Sequence, residues 1–289
     1  MDKLAFIGFG EAGRAFAGSI ARGSLDSVSG FDLRPLAQEM SALDVRHADT
    51  RAGALAGAGA VWCLVTADRA EEAARDCAAD LPEGAFWFDG NSCSPGAKAR
   101  SAAVIEAAGG RYVDVAIMAP VHPLQARVPL LVAGPHAEDA DTALRALGMQ
   151  PGVVGDRVGQ ASTIKMMRSV MIKGIEALTA ECLLGARLAG VDERVLASLQ
   201  KSDPGFDWTE RSAYNFERMA VHGNRRSAEM REVAKTLAEL GLPDRMASAT
   251  ADWQAQIGAL GVAMGVAVDE GFGPRADALL AALNKASDR

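Results

Sequence analysis

The chain is poor in the residues that staple, ligate and stack. Its 289 residues include 4 cysteines, 4 histidines and 2 tyrosines, and only 5% are aromatic. Cys63, Cys77, Cys93 and Cys182 are scattered without C-x-x-C spacing, which argues against a zinc site and fits a reduced, cytoplasmic chain. No metal is therefore expected. His47, His122 and His136 have no carboxylate spacing that suggests a proton relay; His122 alone follows a strand whose end can line a cleft. No apolar run reaches the roughly 18–20 residues needed to span a bilayer. The chain enters its first apolar run at once, with no basic region or cleavage site, so neither a membrane partner nor a signal peptide is expected. Positive charge is also in deficit. A net charge of −7 argues against a general nucleic-acid binder.

What is present is a globular composition, 49% hydrophobic with mean hydropathy +0.06, in a chain long enough for two domains. Everything is organised around residues 4–13, LAFIGFGEAG. A short apolar run turns on Gly8, Gly10 and Gly13 into a segment of helical spacing. In such a turn Gly8 permits the tight bend, Gly10 lets backbone approach a pyrophosphate, and Gly13 lets the helix pack against the strand. The N–H groups along Gly8, Phe9, Gly10, Glu11, Ala12 and Gly13 then face the phosphates. The spacing alone is weak, since 30 glycines produce accidental matches. Context strengthens it: a second apolar run, residues 28–31, ends in Asp32 about 20 residues on, where a ribose-binding acid is expected. A purely structural strand–helix turn is the competing reading.

Further apolar runs at 59–66, 86–89, 111–118, 129–133 and 150–154, with an edge strand at 45–47, predict the remaining strands. Helices are expected over 68–79 with Asp68 as N-cap, 95–108 with Ser94 as N-cap and Pro95 first in the helix, and 138–147. From Gly159 onward no strand pattern remains. A helix over 163–188, with Ser162 as cap and Ala189-Gly190 as stop, leads to helices at 192–200, 208–219, 226–240, 243–260 and 275–285; 201–207 and 221–224 read as loops. The fold class is α/β: a Rossmann-type doubly wound sheet, residues 1–160, then an all-α domain, 161–289, joined by the long helix. Ligands of such sheets sit at the carboxyl ends of the strands. There lie Gly8–Gly13, Asp32, Val65-Thr66, Asn91-Ser92 and Met118–Pro120.

At the domain junction GDRVGQASTIK places Lys165 one turn into the long helix, with Ser169 at i+4 and Ile172 and Glu176 continuing that face. On spacing alone Lys165 is either a cleft lysine that moves protons or a solvated helix lysine.

Over essentially its full length the chain resembles the β-hydroxyacid dehydrogenases, which include 3-hydroxyisobutyrate dehydrogenase, tartronate semialdehyde reductase and, more remotely, 6-phosphogluconate dehydrogenase. GFGEAG resembles their cofactor fingerprint. GDRVGQASTIK resembles their G-x-x-G-x-G-x-x-x-K motif, which implies that Lys165 is the catalytic general acid/base. Gly159 matches, Gly155 stands one residue early, and Ala161 replaces the third glycine. Where relatives carry a substrate-orienting asparagine stands Ser169. Where they carry D-A-P-V-S-G-G, residues 114–120 read DVAIMAP, so Met118 replaces the carboxylate-anchoring serine and Pro120 lacks an N–H. Their late K-D-L falls on Ala228-Glu229-Met230. A small hydroxy acid is therefore not expected to bind in the usual way. His222, Arg225 and Arg226, just before that late motif, offer a compensating clamp for an anionic substrate at a loop–helix entry. The segment 171–183, MIKGIEALTAECL, adds a resemblance to a bacterial subgroup near 6-phosphogluconate dehydrogenase whose helical half had no assigned function.

Asp32 favours NAD, by accepting from the ribose 2′-OH; Arg34 nearby keeps NADP open. Val65, Thr66 and Asn91 are expected along the dinucleotide track. The expectation is an NAD(P)-dependent dehydrogenase acting on a CH–OH group of a hydroxy acid or related alcohol. The alternatives are an imine reductase-like enzyme, against which retention of Lys165 argues, and a non-catalytic dinucleotide sensor. A long exposed spine helix makes a poor monomer, so the expected partner is a second copy, a homodimer, as the resemblance also implies.

Overall fold

The structure is a computed structural model describing residues 2–23, 25–264 and 271–287. The chain divides into two compact units, Met1–Met166 and Met167–Arg289.

The first unit is built on one eight-stranded sheet: β1 Lys3–Ile7, β2 Ser27–Phe31, β3 Arg46–His47, β4 Ala60–Cys63, β5 Phe86–Asp89, β6 Arg111–Ile117, β7 Pro129–Ala133 and β8 Gln150–Gly155, in the order β3-β2-β1-β4-β5-β6-β7-β8. All neighbours pair in parallel except β6 and β7, an antiparallel pairing that apolar runs alone do not announce. Helices α1 Glu11–Ala17, α2 Ala37–Ser41, α3 Arg51–Leu55, α4 Ala70–Ala78, α5 Pro95–Ala107 and α6 Ala137–Ala146 connect the strands. The central strands carry apolar side chains on both faces, which is why they read as unbroken runs. On β4, Ala60 and Trp62 enter one core while Val61 and Cys63 enter the other. The scarce aromatics concentrate there: the Trp62 ring lies 5.1 Å from Phe16 and 5.2 Å from Phe88. Register places Ile7, Cys63, Asp89 and Asp114 in one row across β1, β4, β5 and β6. The loops that follow β1 and β4 emerge side by side where the strand order reverses, the usual binding crevice of such sheets.

The start of α4 differs from expectation. Asp68 does not cap a helix; it lies in a single 3-10 turn, Ala67–Arg69, and α4 begins after it. At α5 the cap is as expected, the Ser94 hydroxyl accepting from the Ala97 N–H at 3.3 Å.

The spine helix α7, Gln160–Leu188, starts three residues earlier than expected. Ser162 therefore lies inside its first turn. The second unit continues with α8 Asp192–Ser202, α9 Trp208–Glu239, α10 Arg245–Ala259 and α11 Phe272–Ser287, around a core that includes Leu183, Leu196, Phe216, Met219, Ile257 and Leu279. The expected loop at 221–224 does not exist: α9 runs unbroken for 32 residues. Gly223, which suggested the break, is where α9 meets α10. A Cβ there would sit 2.8 Å from the Cα of Gly258, and one on Gly258 would sit 2.6 Å from the amide nitrogen of Asn224. The glycine pair lets two backbones touch. No helix among the described residues is long and apolar enough to cross a membrane.

Candidate active site

The glycine turn has the geometry of a cradle. Gly8 has φ +90, and a Cβ on it would lie 2.5 Å from the Leu64 carbonyl oxygen at the end of β4. A Cβ on Gly13 would lie 2.8 Å from the Gly8 carbonyl, so α1 packs against the turn only without one. Glu11 is exposed, Gly10 and Ala12 are half-buried, and the Phe9 ring is in the core. Asp32 leaves the end of β2 beside this turn. Its carboxylate accepts from the Phe9 N–H at 2.7 Å, from the Arg34 N–H at 2.9 Å and from the Arg34 guanidinium at 3.0 and 3.1 Å. Burial alone would raise the Asp32 carboxyl, but these donors outweigh it and hold it below the usual carboxylate range. Val65 is half-buried and Thr66 exposed. Asn91 is buried, and its side-chain amide donates to Asp89 at 2.7 Å and to the Cys63 thiol at 3.3 Å. Its Oδ1 has no partner among the described residues. The bare glycine backbone, the held carboxylate and that orphan acceptor fit a dinucleotide.

Lys165, half-buried on α7, donates from Nζ to Ser92 Oγ at 2.7 Å. Ser92 follows β5 in the loop that ends at the Ser94 cap. Below this pair lies a buried ionic network. Asp89 and Asp114 are cross-strand neighbours, 1% and 0% exposed. Parallel strands lie about 4.8 Å apart, so two such carboxylates repel unless a cation serves both. Lys98 of α5, itself 0% exposed, does so, with Nζ 3.1 Å from Asp89 Oδ1 and 3.5 Å from Asp114 Oδ1. Burial pushes the Lys98 ammonium down, but the two carboxylates outweigh this and hold it above its ordinary value. The Tyr112 hydroxyl donates to Asp89 Oδ2 at 2.7 Å, and burial with the nearby carboxylates holds it well above its ordinary value. Asp114 Oδ2 accepts from the Gly159 N–H at 3.0 Å, the Ser162 N–H at 3.0 Å and the Ser162 hydroxyl at 3.1 Å, across the start of α7. Gly159 has φ +100, and a Cβ on it would press on Pro95 at 3.1 Å. Sequence reasoning placed Ser92 at the ligand edge of the sheet without giving it a role, and missed Lys98 and Tyr112. The legible signal was Asp114, a carboxylate in the middle of an apolar strand, which requires buried partners.

Met118 is half-buried and packs against the small cluster of Ala116, Ala133 and Ala161. The alanine in place of the third motif glycine thus belongs to an apolar contact, and Met118 offers no side-chain donor. In the helical unit, Ser169 is buried and accepts from Lys173 at 3.2 Å, and Lys173 pairs with Glu229 at 3.0 Å. The proposed anion clamp is not assembled as expected. His222, Arg225 and Arg226 lie inside α9 and not at a helix entry. Arg226 is buried and forks onto Glu176, which also accepts from Gln254 at 2.7 Å. Arg225 is exposed and pairs with Glu229 at 3.2 Å.

The family pattern described as the NAD binding domain of 6-phosphogluconate dehydrogenase matches residues 3–149, half of the chain. The chain belongs to this family. Residues 186–257 match a domain of unknown function (DUF1932). A crystal structure of a conserved hypothetical protein from Sinorhizobium meliloti 1021 is 38% identical, with TM-score 0.78, over 98% of this chain and 97% of that one. Mycobacterium tuberculosis 3-hydroxyisobutyrate dehydrogenase, solved with L-serine, shares the fold at 18% identity and TM-score 0.74, over 90% of this chain and 94% of that one. An uncharacterized 28.5 kDa protein of Methanothermus fervidus is 26% identical over 165 residues, 57% of this chain; the match spans 63% of that relative's length. The family gives the chain an NAD-binding domain, and the fold is one it shares with 3-hydroxyisobutyrate dehydrogenase.

Proposed function

We propose that this protein is an NAD-dependent dehydrogenase acting on the CH–OH group of a hydroxy acid or related alcohol, with Lys165 as general acid/base. The observation that carries the reading is the ammonium of Lys165, half-buried and held 2.7 Å from Ser92 Oγ in the loop after β5, at the carboxyl edge of the sheet that bears the glycine cradle. The nicotinamide, when bound, supplies hydride transfer. The chain's own residues hold the parts. Gly8, Gly10 and Gly13 admit the pyrophosphate, Asp32 after β2 receives the ribose hydroxyls, and Asn91 Oδ1 is an acceptor further along the same sheet edge, after β5. As the neutral amine Lys165 takes the substrate hydroxyl proton during oxidation, and as the resulting ammonium it returns that proton during reduction. Ser169, one turn further along α7, carries a hydroxyl that accepts from Lys173. The Met118 site contributes shape and no anion anchor.

NAD is favoured over NADP because Asp32 presents a carboxylate where a 2′-phosphate would go, and the guanidinium of Arg34 is engaged by that carboxylate. A homodimer is part of the proposal: Ile164, Met171 and Leu178 recur every seven residues along α7 and are 43%, 64% and 54% exposed, a stripe suited to a second copy.

The test is nicotinamide absorbance against a panel of aldehyde and keto acids, including aryl and phosphorylated ones, with wild type and Lys165→Ala. Lys165→Ala should cost about 10²–10⁴-fold in kcat, the usual contribution of general acid–base catalysis. Full turnover in that variant would refute the assignment, and cofactor binding without turnover across the panel would favour a sensor.

A further inference from the structure

The network beneath Lys165 has more charge than a fold needs. Removing two carboxylates and an ammonium from water is costly even after relaxation, and apolar residues of similar volume often replace such groups without loss. Here the three charges sit next to the one turn on which Lys165 depends. Asp114 reaches from the middle of β6 to the start of α7 and collects three donors from Gly159 and Ser162 on a single oxygen. An anion at a helix amino end is favourably placed, and α7 is 29 residues long. The residue three positions after Ser162 is Lys165. Its ammonium meets Ser92, in the loop between Asp89 and the α5 helix that carries Lys98.

We propose that the buried Lys98–Asp114 pair is a positioning device for Lys165. Lys98 offsets the repulsion between the adjacent Asp89 and Asp114 side chains, which lets Asp114 stay turned towards the start of α7. Asp114 locks the Gly159–Ser162 turn, and the locked turn fixes where the Lys165 ammonium stands relative to Ser92. Lys98 and Asp114 touch neither substrate nor cofactor; they act through Lys165. The functional meaning rests on the reading of Lys165 as acid/base, but the positioning itself does not.

The geometry supports this in three ways. Asp114 Oδ1 faces Lys98 at 3.5 Å while Oδ2 takes every donor from the turn, so each oxygen has one task. Asp89 takes donors from Tyr112, from Asn91 twice and from Lys98, which also donates to the Asp89 backbone carbonyl, so Lys98 is anchored on Asp89 with its charge facing Asp114 Oδ1. Finally, Pro95 at the start of α5 packs on Gly159, so the helix that supplies Lys98 also backs the turn that Asp114 holds.

The experiment is competitive acetylation of the full-length protein with acetic anhydride, read peptide by peptide by mass spectrometry, on wild type, Ser162→Ala, Asp114→Asn and Lys98→Met. Each variant is first checked by thermal melt. Positioning predicts that Lys165 acetylates several-fold faster in the variants, as its contact with Ser92 loosens, while the surface lysines Lys201 and Lys285 keep their rates. It also predicts a kcat loss on the order of 10²-fold, the scale for an ångström of misplacement of a catalytic group, with the Kd for NADH unchanged. A merely structural role predicts lower melting temperatures with an unchanged Lys165 rate, and that result in any folded variant overturns the proposal. Should Lys98→Met or Asp114→Asn fail to fold, Ser162→Ala, which removes one hydroxyl donor and leaves all charges, decides. If Lys165→Ala instead keeps full turnover, the reading of Lys165 as acid/base falls, while the acetylation rates still judge the positioning.

Discussion

Gly223→Ala sets two rules of opposite sign against each other. In the middle of a helix, alanine for glycine gains about 1 kcal/mol of helix propensity. Position 223 is the middle of the 32-residue α9, so local reasoning expects stabilisation. The structure expects the reverse. The new Cβ would stand 2.8 Å from the Gly258 Cα and 2.9 Å from its amide nitrogen. These are backbone atoms of α10 and cannot rotate away. Overpacking costs about 1–3 kcal/mol where side chains can yield, so the upper end applies here, and the net change is a loss of about 2 kcal/mol. For a unit of this size that lowers the melting temperature by about 8 °C, at about 4 °C per kcal/mol. The assay is a thermal melt of the full chain followed by circular dichroism. Gly185→Ala is the control, because Gly185 lies in the last turn of α7 with nothing within 4 Å of its would-be Cβ. It should gain up to about 1 kcal/mol. If Gly223→Ala melts at or above the wild-type temperature, the close crossing of α9 and α10 is wrong.

Other outcomes follow from the same geometry. Cys63, Cys77 and Cys93 are buried and Cys182 is exposed, and burial pushes the Cys77 thiol up to about 12, so a thiol reagent at pH 8 should modify Cys182 alone until the protein unfolds. Cys182 lies one turn beyond Leu178 on the exposed stripe of α7. If a second copy covers that stripe, its labelling should slow as protein concentration rises, and a concentration-independent rate would count against the dimer. Folded Asp32 ionises at lower pH than in the unfolded chain, so its stabilisation is present above the unfolded carboxylate value of about 3.9 and is lost as pH falls through the folded value. Asp32→Asn should therefore show a shallower acid limb in melting temperature against pH; an unchanged limb would refute the ion pair with Arg34. Arg34→Ser should leave NADH affinity within a few-fold of wild type, as measured by fluorescence titration, whereas a large loss would mean that Arg34 and not Asp32 selects the cofactor.

Much of the fold was readable residue by residue. The apolar runs ending at Ile7, Phe31, Cys63 and Asp89 are strands because both of their faces are buried, and a run of that kind carries its own meaning wherever it occurs. Gly13 was legible because a Cβ there would meet the Gly8 carbonyl, a constraint contained within ten residues; Gly8 was legible from the turn spacing, although the atom that excludes its Cβ is the distant Leu64 carbonyl. Ser94-Pro95 announced a helix start for the same local reason. Lys165 was legible as a candidate but not as an assembled group, since Ser92 is 73 positions away in the chain.

The errors and omissions share one cause. Gly223 has the chemistry of a helix breaker, and whether it breaks a helix or lets two helices touch depends on Gly258, 35 residues further on. Arg226 reads as a free cation at a helix entry until Glu176, 50 positions away, takes it in a buried fork. Lys98 reads as a solvated helix lysine until two strands bring Asp89 and Asp114 against it. Periodicity and turn chemistry are local properties, so the amino-acid order alone settled the strands, the cofactor turn and the helical second half. Burial and charge pairing depend on which distant segment lies opposite, so the partner of each ion and the purpose of each interior glycine were decided by the packed chain.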